Sequence, residues 1–227
     1  METVGVPSFA FDQRIGGLPG GFWLPTRMSV LPLARGGLAL VSPIPIDDAA
    51  AAQLAALGEV RYLIAPSLLH HGYVEAARAR YPAAKVLAPP GLARKRPSLR
   101  VDHVLDGTLP SDLTDHVEVV RVAGAPAADE YVFFHRATET LVVTDLVFNV
   151  KAPQGFWANV LLFVGGCHGR LGSSREWRLL VRDKAEARRS IARIVALPTR
   201  TLVVSHGDIV TDGAQDGLRE ALHWLLR

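Results

Sequence analysis

Apolar runs and the residues that interrupt them divide this chain into short alternating elements. MSVLPL (28–33) and GLALVSP (37–43) read as two strands parted by ARGG, a hairpin signal. IDDAAAAQLAALG (46–58) reads as a helix that Asp47 or Asp48 can cap and Gly58 stops. VRYLIAP (60–66) is an apolar strand with a proline stop, and GYVEAARARYP (72–82) is a helix that ends before Pro82. AKVLAPP (84–90) and the alternating HVEVVRV (116–122) are further strands. EYVFFHRATETLVVTDLVFN (130–149) reads as a hairpin around RATET, and RDKAEARRSIARIVAL (182–197) as an amphipathic helix. RTLVVSHGD (200–208) is a strand running into a loop, and AQDGLREALHWLLR (214–227) is a closing helix with Leu218, Leu222 and Leu225 on one face. Residues 1–25 show no such pattern and are expected to be irregular, while 150–181, rich in Gly and Trp, reads as a loop or lid. Mixed strands and helices without repeats point to one α/β domain over 26–227.

The 227 residues are 49% hydrophobic and 21% charged, enough for a substantial core. One cysteine, Cys167, excludes an intramolecular disulfide, and its surroundings hold no acid–base pattern. The start of the chain lacks a basic segment followed by a long apolar one, and no apolar run approaches the ~20 residues that span a bilayer. The expectation is a cytoplasmic protein with no membrane partner. A net charge of +3, from 25 basic and 22 acidic residues, is too balanced to imply nucleic acid. LARKRPSLR (92–100) concentrates Arg94, Lys95, Arg96 and Arg100, read either as a solvated loop or as an anion-facing rim; without interleaved aromatics it is no nucleic-acid surface. Oligomeric state leaves no sequence signal.

Metal-capable side chains recur where strands end. His70 and His71 follow strand 60–66, Asp145 follows LVVT, and His206 follows TLVVS. Rigid strands aim their terminal loops at a common crevice, and imidazole with carboxylate suits zinc, iron or manganese. Adjacent histidines diverge in a strand but can converge in a turn that opens a helix, which Pro66 and the helix from 72 allow. Each residue also has a plainer reading, as a loop, cap or turn residue. His103, His116, His135 and His223 read as surface or packed-edge histidines, and His168 as a loop candidate.

The order of these sites resembles the metallo-β-lactamase fold superfamily, whose members run from paired strands to a strand followed by HxHxDH. A later histidine follows, then a bridging Asp in GDxxF, then a last strand ending in HG. TDLVFN (144–149) resembles the GDxxF element and VVSHG (203–207) the last. The wider stretch TRMSVLPL…SPIPI…LIAPSLLHHGY…PPGLARKRP…VFFHRATETLVVTDLVFN is similar to an uncharacterised, DUF4336-type branch. The resemblance implies a four-layer αββα sandwich with a metal site at one edge of two facing sheets.

The departures matter. With His71 matched to the last histidine of HxHxDH, Pro66 and Leu68 occupy the first two histidine positions, His70 takes the Asp position, and AGAPAADE (123–130) has no histidine. In dinuclear members the three lost histidines hold the first metal. His70, His71, Asp145 and His206 map to the second site. The resemblance thus implies one divalent ion, zinc ahead of iron or manganese, in a reduced mononuclear site, and a metal-dependent hydrolase-like activity on an unidentified small molecule. Glu130, near the lost histidine, is an extra ligand, a base, or a surface residue starting a strand; Asp208 is a second candidate base. The competing expectations are an inactive binding or scaffold protein and a redox-active iron protein. The latter lacks any flavin-binding or rubredoxin-like segment.

Overall fold

The computed structural model describes residues 2–4, 8–18, 22–151 and 156–227. Seven strands follow one another across the first sheet: β1 (Glu2–Val4), β2 (Ser8–Leu18), β3 (Phe22–Pro32), β4 (Gly37–Val41), β5 (Glu59–Ile64), β6 (Lys85–Ala88) and β7 (His103–Val104). The first four pair antiparallel and the last four parallel, so β4 belongs to both halves. The parallel half needs crossovers, which α1 (Asp48–Leu57), α2 (Val74–Arg80) and the single turn α3 (Leu92–Lys95) supply. Asp47 caps α1 by accepting the Ala50 N–H at 2.7 Å.

After the short α4 (Ser111–Thr114), the second sheet forms from β8 (Val117–Arg121), β9 (Tyr131–His135), β10 (Thr140–Val143) and β11 (Thr201–Val204) in the order β11-β10-β9-β8. Between β10 and β11 the chain forms α5 (Phe156–Gly165), α6 (Arg175–Leu180) and α7 (Lys184–Ala196), and α8 (Ala214–Leu226) closes it.

Period-two alternation sorts the side chains into layers. Val30, Leu40, Leu63 and Val86 face α1–α3, while Leu31, Val41, Ile64 and Leu87 meet Val117, Tyr131, Phe133, Val142 and Val203 of the facing sheet. On the far side of the second sheet, Val132, Leu141, Val143, Leu202 and Val204 pack against Ile191, Ile194, Leu218 and Leu222 of α7 and α8. The result is the expected αββα sandwich. Both sheets are covered on both faces, which is why their strands read as continuous apolar runs.

Two expectations are corrected. The opening of the chain is not irregular: β2 and β3 pair from Phe9↔Val30 to Leu18↔Phe22 with a register shift between Ile15 and Leu18. Their glycines and prolines masked the strand pattern. The segment 150–181 is not a plain loop, since it carries α5 and α6; residues 152–155 lie outside the described part. Among the described residues no helix is long and apolar enough to cross a membrane.

Candidate metal centre

Four strand ends meet at one edge of the sandwich: Ser42 after β4, Ser67–His70 after β5, Asp145 after β10 and His206 after β11. Each loop has a local reason for its shape. Ser67, fully buried, turns the chain by accepting the N–H groups of Leu69 at 3.1 Å and His70 at 2.9 Å on its hydroxyl. The loop after β10 wraps one oxygen of Glu130. Oε1 accepts the backbone N–H groups of Thr144, Asp145 and Leu146 at 2.9, 3.1 and 3.2 Å and the Thr144 hydroxyl at 2.8 Å. Trp177 Nε1–H donates to Oε2 at 3.2 Å. The loop after β11 turns back at Gly207 (φ +109°), where an added Cβ would lie 2.2 Å from the Asn149 carbonyl oxygen. Only glycine fits there.

These loops bring three donor atoms together. His70 Nε2 lies 3.0 Å from His206 Nε2 and 3.3 Å from Asp145 Oδ1, and His206 Nε2 lies 3.4 Å from the same oxygen. A tetrahedral ion bound at zinc distances needs donors roughly 3.3 Å apart, so the triangle fits one ion. The groups behind these donors fit as well. His206 Nδ1 donates to the Pro25 carbonyl oxygen at 2.7 Å, which turns Nε2 toward the centre. His70 Nδ1 lies 2.8 Å from the Ser42 hydroxyl, and Ser42 itself holds a left-handed φ of +54°. Phe148 stacks on the His206 ring at 4.9 Å between centroids and 12° between planes. Asp145 Oδ2 is buried and has no hydrogen-bond partner among the described residues. Three candidate ligands would leave a coordination position open on a tetrahedral ion.

The electrostatics follow from burial and proximity. Burial alone would raise the Asp145 carboxyl, but the charge of His70 and hydrogen bonds from His206 and His70 hold it well below the usual carboxylate range. Burial opposes protonation of His70, and the Asp145 carboxylate outweighs it, raising that imidazole. Glu130 is pushed up to about 7, first by burial and then by the Asp145 charge, against the N–H groups it accepts.

Of the residues singled out from sequence, the structure gathers His70, Asp145 and His206. His71 stands outside this group; it is half-buried, its Nδ1 has no hydrogen-bond partner among the described residues, and burial followed by the charges of Lys95 and Arg96 lowers its pKa. Glu130 is not a surface residue: it is fully buried and engaged at both oxygens. Asp208 is exposed, and its backbone pairs with Asn149. Sequence reasoning missed Ser42, Phe148 and Arg27. Arg27, 5% exposed, donates through Nη1 to the carbonyls of Val204 at 2.9 Å and Gly207 at 2.7 Å, on either side of His206, and pairs with Asp12. A lone arginine inside the apolar run TRMSVLPL was the available signal.

The positions of the missing histidines are filled by ordinary packing. The Pro66 carbonyl accepts Tyr131 N–H at 2.8 Å, and Leu68 N–H donates to Ala128 at 2.8 Å while its side chain joins the apolar cluster under α3. Ala125 and Ala128 are buried in the 123–130 segment. Among the described residues, no second cluster of metal-capable side chains forms there.

No protein-family model matches the chain, and no curated protein does. Solved structures do. A metallo-β-lactamase from Pontibacter korlensis is 14% identical over 98% of both chains with a TM-score of 0.64. A metallo-β-lactamase from Hirschia baltica is 13% identical over 96% of this chain and 94% of that one, with a TM-score of 0.60. The metal-soaked flavodiiron core of Flv1 from Synechocystis sp. PCC6803 is 14% identical over 98% of this chain and 59% of that one, with a TM-score of 0.66. At these identities the likeness establishes the fold: a metallo-β-lactamase-type αββα sandwich.

Proposed function

We propose that this chain is a metal-dependent, hydrolase-like protein of the DUF4336-type branch, working with one divalent ion, zinc ahead of iron or manganese. The observation that carries the reading is the triangle of His70 Nε2, His206 Nε2 and Asp145 Oδ1 at 3.0–3.4 Å, with His206 oriented by Pro25. When bound, such an ion supplies a Lewis acid for a carbonyl or phosphoryl oxygen and lowers the pKa of its bound water. The chain's own residues do the rest. Asp145 balances positive charge, Glu130 and Trp177 fix its loop, and Ser42 and Pro25 hold the two imidazoles. His71 is our candidate for an added ligand. Asp208, exposed two residues after His206, is our candidate proton acceptor, and we assign Glu130 to positioning because its oxygens are already engaged. We take 26–227 together with the opening strands β1 and β2 as one domain, supported by the sheet they complete and the core the two sheets share. The free, buried Cys167 supports our placing it in the cytoplasm.

A second reading also has an observation behind it. The 3.0 Å between the Nε2 atoms of His70 and His206 also suits a direct hydrogen bond, the arrangement of a metal-free scaffold. Metal analysis of tag-free protein, purified without added metal, separates the two. About one ion per chain, lost in His206→Ala and Asp145→Ala, supports the first reading. Metal-free wild type that stays metal-free after reconstitution supports the second.

A further inference from the structure

Helix α5 presents an apolar face to solvent. At 100° per residue, Phe163, Phe156, Val160, Val164, Trp157 and Leu161 fall within an arc of about 160°, with no polar residue among them. Phe156 is 72% exposed, Trp157 53%, Leu161 48%, Phe163 75% and Val164 53%. The helix is anchored on its opposite side, where Leu162 packs with Phe148, Val150 and Cys167. Leu179 of α6, the helix packed beside α5, is also 79% exposed. A contiguous apolar surface of this kind marks a binding face.

The charges around it define the partner. Arg175 donates to the Val164 carbonyl at 3.0 Å, and Arg170 donates through Nε and Nη2 to the Gly166 carbonyl at 3.3 and 2.9 Å. Both exposed guanidiniums are therefore tied to the C-terminal end of α5 and the residue that follows it. Glu176, beside Gly165, is the acidic group at this end. Exposed Lys151 precedes the helix at the other end. A second copy of the chain fits this pattern poorly: an antiparallel pairing of the faces brings the arginine end near Lys151, and a parallel pairing brings arginines together. An anionic surface satisfies both ends. A convex ridge of Phe, Trp and Leu with flanking cations is the form of an interfacial helix.

We propose that α5 docks this protein on an anionic lipid bilayer, with Phe156 and Phe163 entering the boundary between headgroups and acyl chains and Arg170 and Arg175 meeting lipid phosphates. The sequence led us to expect no membrane partner because it lacks a spanning segment; a helix that lies in the interface needs none. The proposal does not depend on the metal centre.

Cosedimentation of the full chain with vesicles tests it, using phosphatidylcholine alone and phosphatidylcholine mixed with phosphatidylglycerol. The wild type is expected to bind the mixed vesicles and to dissociate as salt rises. Phe156→Ser with Phe163→Ser lowers the affinity by about tenfold or more. Arg170→Gln with Arg175→Gln weakens binding and flattens its salt dependence. These side chains are exposed, so unchanged circular dichroism and unfolding temperature confirm that the variants fold. Wild type that ignores every vesicle, or a double-Phe variant that binds as well as wild type, overturns the proposal. So does self-association that the double-Phe change abolishes without any vesicle binding, which would make the face a contact between copies.

Discussion

The Nδ1–H of His206 donates to the carbonyl oxygen of Pro25 at 2.7 Å, so strand β3 sets the orientation of a candidate ligand on the loop after β11. Arg27, two residues on, completes the arrangement by gripping the carbonyls on both sides of His206. The edge of β3 therefore acts as a template for the loop after β11.

Arg27→Lys tests that template. A lysine keeps the charge but not the planar fork that serves two carbonyls and Asp12 together. Metal affinity, measured by competition with a chromophoric chelator, is expected to fall about 10- to 100-fold, the usual effect of losing an outer-shell partner. Unaltered affinity would show that the loop keeps its shape without the guanidinium.

Gly207→Ala is expected to damage both stability and metal binding. The new Cβ would collide with the backbone of Asn149, which cannot yield as a flexible side chain would. Gly36→Ala serves as the control, since it shares a positive φ of +68° but meets nothing within 4 Å. Its loss is about 1 kcal/mol by urea unfolding, and Gly207→Ala loses clearly more.

Glu130→Ala removes the acceptor for three backbone N–H groups. Buried donors without partners cost ~1–3 kcal/mol each, so urea unfolding is expected to show a loss of at least ~3 kcal/mol. Glu130→Gln keeps one oxygen for the loop and sets an amide N–H against that of Trp177, so it loses less. An alanine variant as stable as the wild type would contradict this role.

His135 supplies a pH dependence away from the candidate metal centre. It is buried, and its Nε2 donates to the Pro32 carbonyl oxygen at 3.2 Å. Burial, ahead of the repulsion from His116, lowers its pKa. The unfolded chain then binds a proton more readily than the folded one. Stability from this residue is full above about pH 6.5, the ordinary imidazole value, and is lost as pH falls from there toward the lowered folded value. His135→Gln should therefore show a shallower loss of stability between about pH 7 and pH 5 than the wild type in urea titrations. Identical slopes would remove His135 as the source.

The sandwich was readable in the sequence because sheets covered on both faces leave unmistakable apolar runs, and Pro66, Gly58 and Gly207 punctuate them. β2 and the first half of β3 were not, since FDQRIGGL and FWLPTR break the alternation with glycine, proline and charge. Asp145 and His206 were identifiable from their strand ends. Which of two adjacent histidines turns inward was not, because that choice is made by Ser67 and Ser42, one turning the backbone and the other holding the ring. The role of Glu130 was hidden for a similar reason: its partners lie in a loop 14–16 residues away, and contacts of that kind carry no sequence period.

Anomalous diffraction at the zinc, iron and manganese edges, from crystals of tag-free protein, shows whether the His70–Asp145–His206 triangle holds an ion. One peak per chain is expected about 2.0–2.2 Å from His70 Nε2, His206 Nε2 and an Asp145 oxygen, with a coordination position left to solvent. A metal-replete crystal with no peak there, or with a second ion beside Pro66 and Leu68, would contradict it.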